Sequence, residues 1–248
     1  MDLFQFLVFA AIGLATGFST GLFGIGGGSV RIPLLAMTGM PLISAFATNM
    51  FAIPFSSGIG AFVQRKNISW RILKAFVLGG LLGIVIATII AGIVQSRVLA
   101  ATFFIASLLT VWGLYLDKTN PELYGKIRLT PLNLFAGAFI ANAIIGLRGG
   151  SGGTAFPPLL RAMHVKMHDA IATSLITSAI TSFAALAIYL FRGDIQWVPA
   201  VVVMVSSVAG SFAGSKMSMK TDSKWLKLGL SIIVFLLACV VVYREFFI

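Results

Sequence analysis

The stretch that decides the fold is GLFGIGGGSVRIP at residues 21–33, because it returns as GLRGGSGGTAFPP at residues 146–158. The two copies align without a gap over 21–61 and 146–186, at an offset of 125. Gly24, Gly27, Gly28, Pro33, Ala45, Ala47 and Thr48 recur as Gly149, Gly152, Gly153, Pro158, Ala170, Ala172 and Thr173. Downstream the match resumes at an offset of 127, pairing Ile68 and Trp70 with Ile195 and Trp197, then Ser96 and Leu99 with Ser223 and Leu226. The chain is therefore a duplication: a first repeat over 1–116, a linker over 117–130 and a second repeat over 131–248, forming one transmembrane domain. Apolar repeats broken by glycine and proline at matching places are the sequence mark of a secondary transporter's binding site.

Composition sets the class. Of 248 residues, 58% are hydrophobic and only 10% charged, which no ordinary soluble domain shows. Uncharged runs cover 3–30, 32–64, 75–96, 98–116, 129–147, 170–191, 195–215 and 228–243. A membrane-crossing helix takes about 20 apolar residues, so these read as eight long spans of an all-α integral membrane protein. The last run is short, but Lys227, Arg244 and Glu245 can reach the interface along their aliphatic stems. The net charge of +11 is spread between apolar runs, where it signals topology and meets anionic lipid headgroups. Nucleic acid is not an expected partner, since no basic amphipathic element or stacking motif is present. The single cysteine, Cys239, excludes an internal disulfide and a multi-cysteine metal site. The first apolar run follows Asp2 rather than a basic n-region and has a counterpart in the second repeat, so it reads as part of the mature fold.

Two short pieces, 29–40 and 154–165, follow the glycine clusters. Each would reach roughly 18 Å as a helix, too little to cross alone. If they re-enter and leave on one side, each half has four spans and the repeats are parallel. If they cross with help from the glycine loops, each half has five segments and the repeats are inverted. The four-span arrangement splits the basic residues nine to seven between the two sides and leaves Arg31 and Arg148 in the membrane. The five-segment arrangement puts Arg97, Arg148, Arg192 and Arg244 on the side of the termini and the remaining fourteen opposite. The positive-inside rule prefers the second. Equivalent loops also exchange charge: Arg65, Lys66, Arg71 and Lys74 surround Trp70, whereas Trp197 has only Arg192 beside Asp194. The expectation is inverted repeats, eight long spans plus two short segments, with the linker cytoplasmic and both termini outside.

The glycine clusters are the first candidates for function. Gly26, Gly27, Gly28 and Ser29, with Gly152, Gly153 and Thr154, form loops that permit left-handed turns and uncovered amides. Ser29 and Thr154 stand where N-caps of the short helices would be. A helix start inside the membrane offers free amides and partial positive charge to an anion. Four glycines within five residues exceed what a packing seam needs, whereas Gly79, Gly83, Ala87, Gly210 and Gly214 fit packing alone. Thr48 and Asn49 repeat as Thr173 and Ser174, a polar pair in apolar helices. Such hydroxyls commonly bond backbone or a neighbouring helix, but the Asn49 amide needs several partners. Arg148 lies inside the second cluster where the first has Phe23, with no acid nearby in sequence. It either meets an anion with a bidentate fork or snorkels to the interface. Arg31, just past the first cluster, reads as an interfacial positive-inside residue. His164, His168 and Asp169, near Arg161 and Lys166, read as a solvated loop.

At these residues the chain resembles the sulfite exporter TauE/SafE family of membrane permeases. The resemblance rests on the duplicated glycine-to-proline element (Gly24 to Pro33, Gly149 to Pro158) and on the Ala-x-Ala-Thr segments at Ala45–Thr48 and Ala170–Thr173. It covers nearly the whole chain; the second copy departs from the pattern at Arg148 and Ser151. The resemblance implies movement of a sulfur-containing anion, such as sulfite or an organosulfonate, across the bacterial inner membrane. Its partners would be that small anion and the lipid bilayer, with no cofactor and no metal. Two other readings stay open. One is a passive anion channel of the same architecture. The other is an intramembrane serine hydrolase built on Gly149-Gly150-Ser151-Gly152, with His164 or His168 as base.

Overall fold

The computed structural model describes residues 2–91, 93–95, 98, 101, 104–105, 108, 111–112, 115–120, 124, 127–147 and 149–247. Among the described residues the regular structure is helical throughout, with no strand. The main helices are α1 (Leu3–Phe23), α2 (Gly28–Met37), α3 (Leu42–Val63), α4 (Trp70–Ala91), α5 (Pro131–Gly146), α6 (Phe156–Ala162), α7 (Met167–Arg192), α8 (Trp197–Ser218) and α9 (Ser223–Phe247). Five of them, α1, α3, α4, α7 and α8, are long and apolar enough to cross a membrane. The run at 129–147 yields the shorter α5, of 16 residues. The run at 228–243 lies within α9, of 25 residues, and much of 98–116 falls outside the described residues.

Local chemistry sets the ends. The Asp2 carboxylate caps α1 by accepting from the Gln5 amide at 2.7 Å, and Gly24 stops the helix in the left-handed region at φ 72°. Thr130 caps α5 by accepting from the Asn133 amide, with Pro131 in the first turn, where its missing N–H costs nothing.

Small residues decide how the helices pair. Along α1, Gly13 meets Val203 and Ser206, Gly17 meets Ser207, and Gly21 meets Ser211 and Ser215, so α1 and α8 run side by side in one direction. On α8, Gly210 and Gly214 return the contact to Leu14, Phe18 and Leu22. The equivalent pair in the duplication is α4 with α5, where Gly79 meets Phe135, Gly83 meets Phe139 and Gly146 meets Ala87. These glycines act in packing, as their spacing suggests: without a side chain the backbones approach closely and gain dispersion contacts that lipid cannot match. On α4, the large residues Leu82, Ile86 and Ile89 are exposed.

At the centre α3 crosses its own repeat equivalent, α7, in the opposite direction. Phe46 and Met50, early in α3, share a cluster with Leu186 and Tyr189, late in α7. Ala61, late in α3, packs with Ile171 and Leu175, early in α7. By contrast α1 and α3 run the same way, since Phe9 and Ile12 cluster with Met40 and Ala45, while the Gln64 amide donates to the Gly21 carbonyl at 2.9 Å. The short α2 therefore carries the chain back to the end of the bundle where α1 began. There, Asp2, Gln5, Thr38, Pro41 and Gln196 surround a cavity of about 910 Å³.

Candidate functional site

Two glycine loops meet in the middle of this bundle. In the first, Gly24, Gly26 and Gly27 take positive φ (72°, 65° and 74°), which turns the chain sharply between α1 and α2. In the second, Gly149 has φ 71° and residues Gly152–Thr154 form a single 3-10 turn before α6. The loops touch backbone to backbone: a β-carbon on Gly153 would lie 2.6 Å from the Ile25 carbonyl carbon and 2.7 Å from the Gly26 nitrogen. No side chain fits there.

Polar contacts between the loops link positions that the duplication makes equivalent. The Ser29 and Thr154 hydroxyls lie 2.6 Å apart, and these two residues are separated by 125. The Asn49 amide donates to the Gly149 carbonyl at 2.7 Å, and the Ser174 hydroxyl donates to the Gly24 carbonyl at 2.6 Å. Adding 125 to Asn49 gives Ser174 and taking 125 from Gly149 gives Gly24, so the two bonds are equivalent. Each half thus pins the glycine loop of its partner. This corrects the capping expectation. Gly27 precedes α2 without a side-chain cap, and Ala155 precedes α6. Ser29 and Thr154 face each other because a buried hydroxyl gains more from a partner across the seam than from an amide already turned into the helix.

Thr48 and Thr173 turn elsewhere. Thr48 donates to the Met40 sulfur at 3.7 Å, and Thr173 accepts from the Ser69 amide at 3.0 Å, beside the start of α4. Arg148 lies outside the described residues. Of the remaining expected residues, Gly26, Gly27, Gly28, Ser29, Asn49, Gly152, Gly153, Thr154 and Ser174 come together at the loops.

The largest correction concerns Arg31. It is fully buried rather than interfacial, at 0% exposure. Nε donates to Thr16 Oγ1 at 3.2 Å, one terminal nitrogen to Asn49 Oδ1 at 2.9 Å and the other to Ser207 Oγ at 3.0 Å. Gly27 lies against the same group, since a β-carbon there would sit 3.0 Å from a terminal nitrogen and 2.6 Å from the Thr20 hydroxyl. All these partners are neutral, and no acid occurs anywhere between Asp2 and Asp117. The reason for the burial is geometric. Arg31 is the fourth residue of α2, and helical side chains lean back toward the N-terminus, here into the turn of the glycine loop. Sequence reading missed Arg31, Thr16 and Ser207; the available signal was a cation on a short helix in a half with no internal acid.

The other half does not repeat this arrangement. Phe156 occupies the position equivalent to Arg31 and packs on Phe76, with ring centroids 4.7 Å apart. Asn142 bridges there, donating to the Gly80 carbonyl at 2.7 Å and accepting from the Gly152 amide. The position equivalent to Arg31 in the duplicated sequence therefore carries no charge.

Ser151 and Ser178 are buried near Gly26, and among the described residues their hydroxyls have no hydrogen-bond partner. Neither histidine approaches Ser151 as a base would. His168 bonds the Thr221 carbonyl at 3.2 Å, and the exposed His164 packs on Tyr124 with centroids 4.4 Å apart.

Residues 9–241 match the model of a family described as sulfite exporter TauE/SafE. A probable membrane transporter protein of Haemophilus influenzae is 25% identical over 246 residues, covering 94% of this chain and 93% of its own. The probable membrane transporter protein YunE of Bacillus subtilis is 22% identical, over 98% of this chain and 99% of its own. A third, MJ0441 of Methanocaldococcus jannaschii, is 48% identical over 56 residues, which is 23% of this chain and 21% of its own. No solved structure matches the chain.

Proposed function

The chain belongs to the sulfite exporter TauE/SafE family, a family of membrane transporters, and on that premise we propose that it moves a small sulfur-containing oxyanion, sulfite or an organosulfonate, across the bacterial inner membrane by alternating access. The observation that carries this reading is the reciprocal pinning of the glycine loops, Asn49 to Gly149 and Ser174 to Gly24. Irregular backbone at membrane depth is tolerated only where protein buries it or a cavity lies beside it, and transporters put their substrate at such breaks. The antiparallel crossing of α3 and α7 supports inverted repeats over 1–116 and 131–248. Equivalent helices related by an axis normal to the membrane would run the same way; an axis in the membrane plane reverses them. Gly26, Gly27, Gly28, Ser29, Asn49, Gly152, Gly153, Thr154 and Ser174 line the meeting point of the halves. Rocking one half on the other would expose it to each side in turn. Arg148, in the second glycine cluster, is kept as a candidate source of charge for the anion.

An inside-negative potential drives an anion outward by about 2.3 kcal/mol per charge per 100 mV, so export needs no coupled ion. We prefer the transporter reading to a hydrolase, since among the described residues no base is hydrogen-bonded to the Ser151 hydroxyl. The test is flux of sulfite, sulfate and methanesulfonate into proteoliposomes. Saturable uptake of a sulfur oxyanion is expected. A non-saturating conductance would make the protein a channel, and no flux for any anion would refute the proposal.

A further inference from the structure

We infer that Arg31 is the anion-binding residue of this protein: its guanidinium, with Asn49, Thr16, Ser207 and the Gly27 turn, forms a site for one small oxyanion headgroup. The inference rests on the transporter reading for its physiological meaning, but not for its chemistry.

Three observations carry it. First, the charge is not balanced. Arg31 is fully buried among α1, α2, α3 and α8, and none of those helices carries an acid. Burying an uncompensated charge is expensive, and intramembrane arginines normally pair with an anion or reach water. Second, the fork is only partly used. A guanidinium has five N–H groups. The bonds to Thr16, Asn49 and Ser207 take three of them, one from each nitrogen. One N–H therefore remains on each terminal nitrogen to meet the oxygens of a carboxylate, sulfonate or sulfite group. The neutral partners fix the plane of the fork without cancelling its charge. Third, a cavity lies about one helical turn from it. The cavity of about 910 Å³ at the N-terminal end of α1 has Phe9, Ile12 and Leu34 among its lining residues. Ile12 lies one turn from Thr16 on α1, and Leu34 lies one turn from Arg31 on α2. Arg31 does not itself line that cavity, so α1 and α2 must part by about that turn for a small anion to reach the guanidinium.

The ligand class follows from the donors. A single fixed cation ringed by hydroxyls and an amide favours a compact oxyanion over chloride, which cannot use two N–H groups on separate oxygens. Phe156, at the equivalent place in the other repeat, offers no second charge. One anion binds per chain.

The experiment pairs flux with a binding readout on the same purified protein. Wild type, Arg31→Gln, Arg31→Lys and Thr16→Asp are reconstituted for sulfite and methanesulfonate flux. Each is also followed by thermal unfolding in detergent as sulfite, methanesulfonate or chloride is titrated. Thr16→Asp keeps Arg31 and sets a carboxylate where the threonine hydroxyl now accepts from Nε, so the site is neutralised without removing the guanidinium. The expected result is an oxyanion-dependent stabilisation of wild type that chloride does not give. Half-saturation should rise roughly ten- to hundredfold in Arg31→Gln and in Thr16→Asp, the loss of one charge-assisted contact, and less in Arg31→Lys. If Arg31→Gln unfolds, Thr16→Asp alone decides. Unchanged half-saturation in Thr16→Asp, or variants that melt earlier yet gain the same increment from oxyanion, would overturn the inference and leave Arg31 a clamp between helices. Absence of wild-type flux with retained oxyanion stabilisation would instead overturn the transport reading and leave the site standing.

Discussion

Asn49 does two jobs at once: its oxygen accepts from Arg31 at 2.9 Å while its nitrogen donates across the repeat boundary to Gly149 at 2.7 Å. Its equivalent, Ser174, has only the second of these, to Gly24. Replacing either with alanine leaves a buried carbonyl without its donor, which costs about 1–3 kcal/mol. Asn49→Ala also frees one guanidinium nitrogen and is expected to lower the unfolding midpoint in detergent more than Ser174→Ala. Equal losses would mean that the Arg31 contact contributes nothing to stability. The pair was legible in sequence as a repeated polar position in apolar helices. Arg31 was not, because an arginine beside a glycine turn can point to the interface or into the bundle. Which it does depends on the lean of a ten-residue helix and on hydroxyls that come from 15 residues earlier and 176 residues later.

At the scale of helices, the glycine seams of α1 with α8 and of α4 with α5 set the spacing. A β-carbon on Gly210 would collide with the Leu14 carbonyl, whereas one on Gly58 of α3 meets open space. Gly210→Ala is therefore expected to destabilise by about 1–3 kcal/mol through overpacking. Gly58→Ala should be neutral or stabilising by about 0.5–1 kcal/mol, from reduced backbone freedom in the unfolded chain. Thermal unfolding of the two purified variants checks the opposite signs. A like effect from both would remove the packing argument. Sequence marked Gly79, Gly83, Gly210 and Gly214 as packing residues; which helices they join came from the structure. The short segment at 154–165 was less legible: it yields a 3-10 turn at Gly152–Thr154 and then only the seven residues of α6. Pro157 and Pro158 lack the amide donors that would continue a helix backward into the glycine loop.

For the whole molecule the directions of the helices give a labelling prediction. With Cys239 replaced by serine, single cysteines at Thr38 and Gln196 should react from one compartment, and at Lys66 and Lys220 from the other. All four positions are exposed. A parallel arrangement of four-span halves would group 66 with 196 and 38 with 220, so membrane-impermeant thiol labelling separates the two. The basic residues Arg65, Lys66, Lys216 and Lys220 identify the cytoplasmic compartment by the positive-inside rule. The amino-acid sequence by itself determined the duplication, the membrane class, the glycine breaks and their polar companions. Each of these rests on composition, or on a repeat that survives linear reading. The tertiary structure decided which groups share the centre: that Ser29 meets Thr154 rather than capping a helix, that Thr48 and Thr173 turn away, and that Arg31 is enclosed. Those outcomes depend on helices from both halves crossing at one place. Which buried polar group finds which partner is fixed only when residues far apart in the chain are brought within a few ångströms, and no periodicity within either half encodes that.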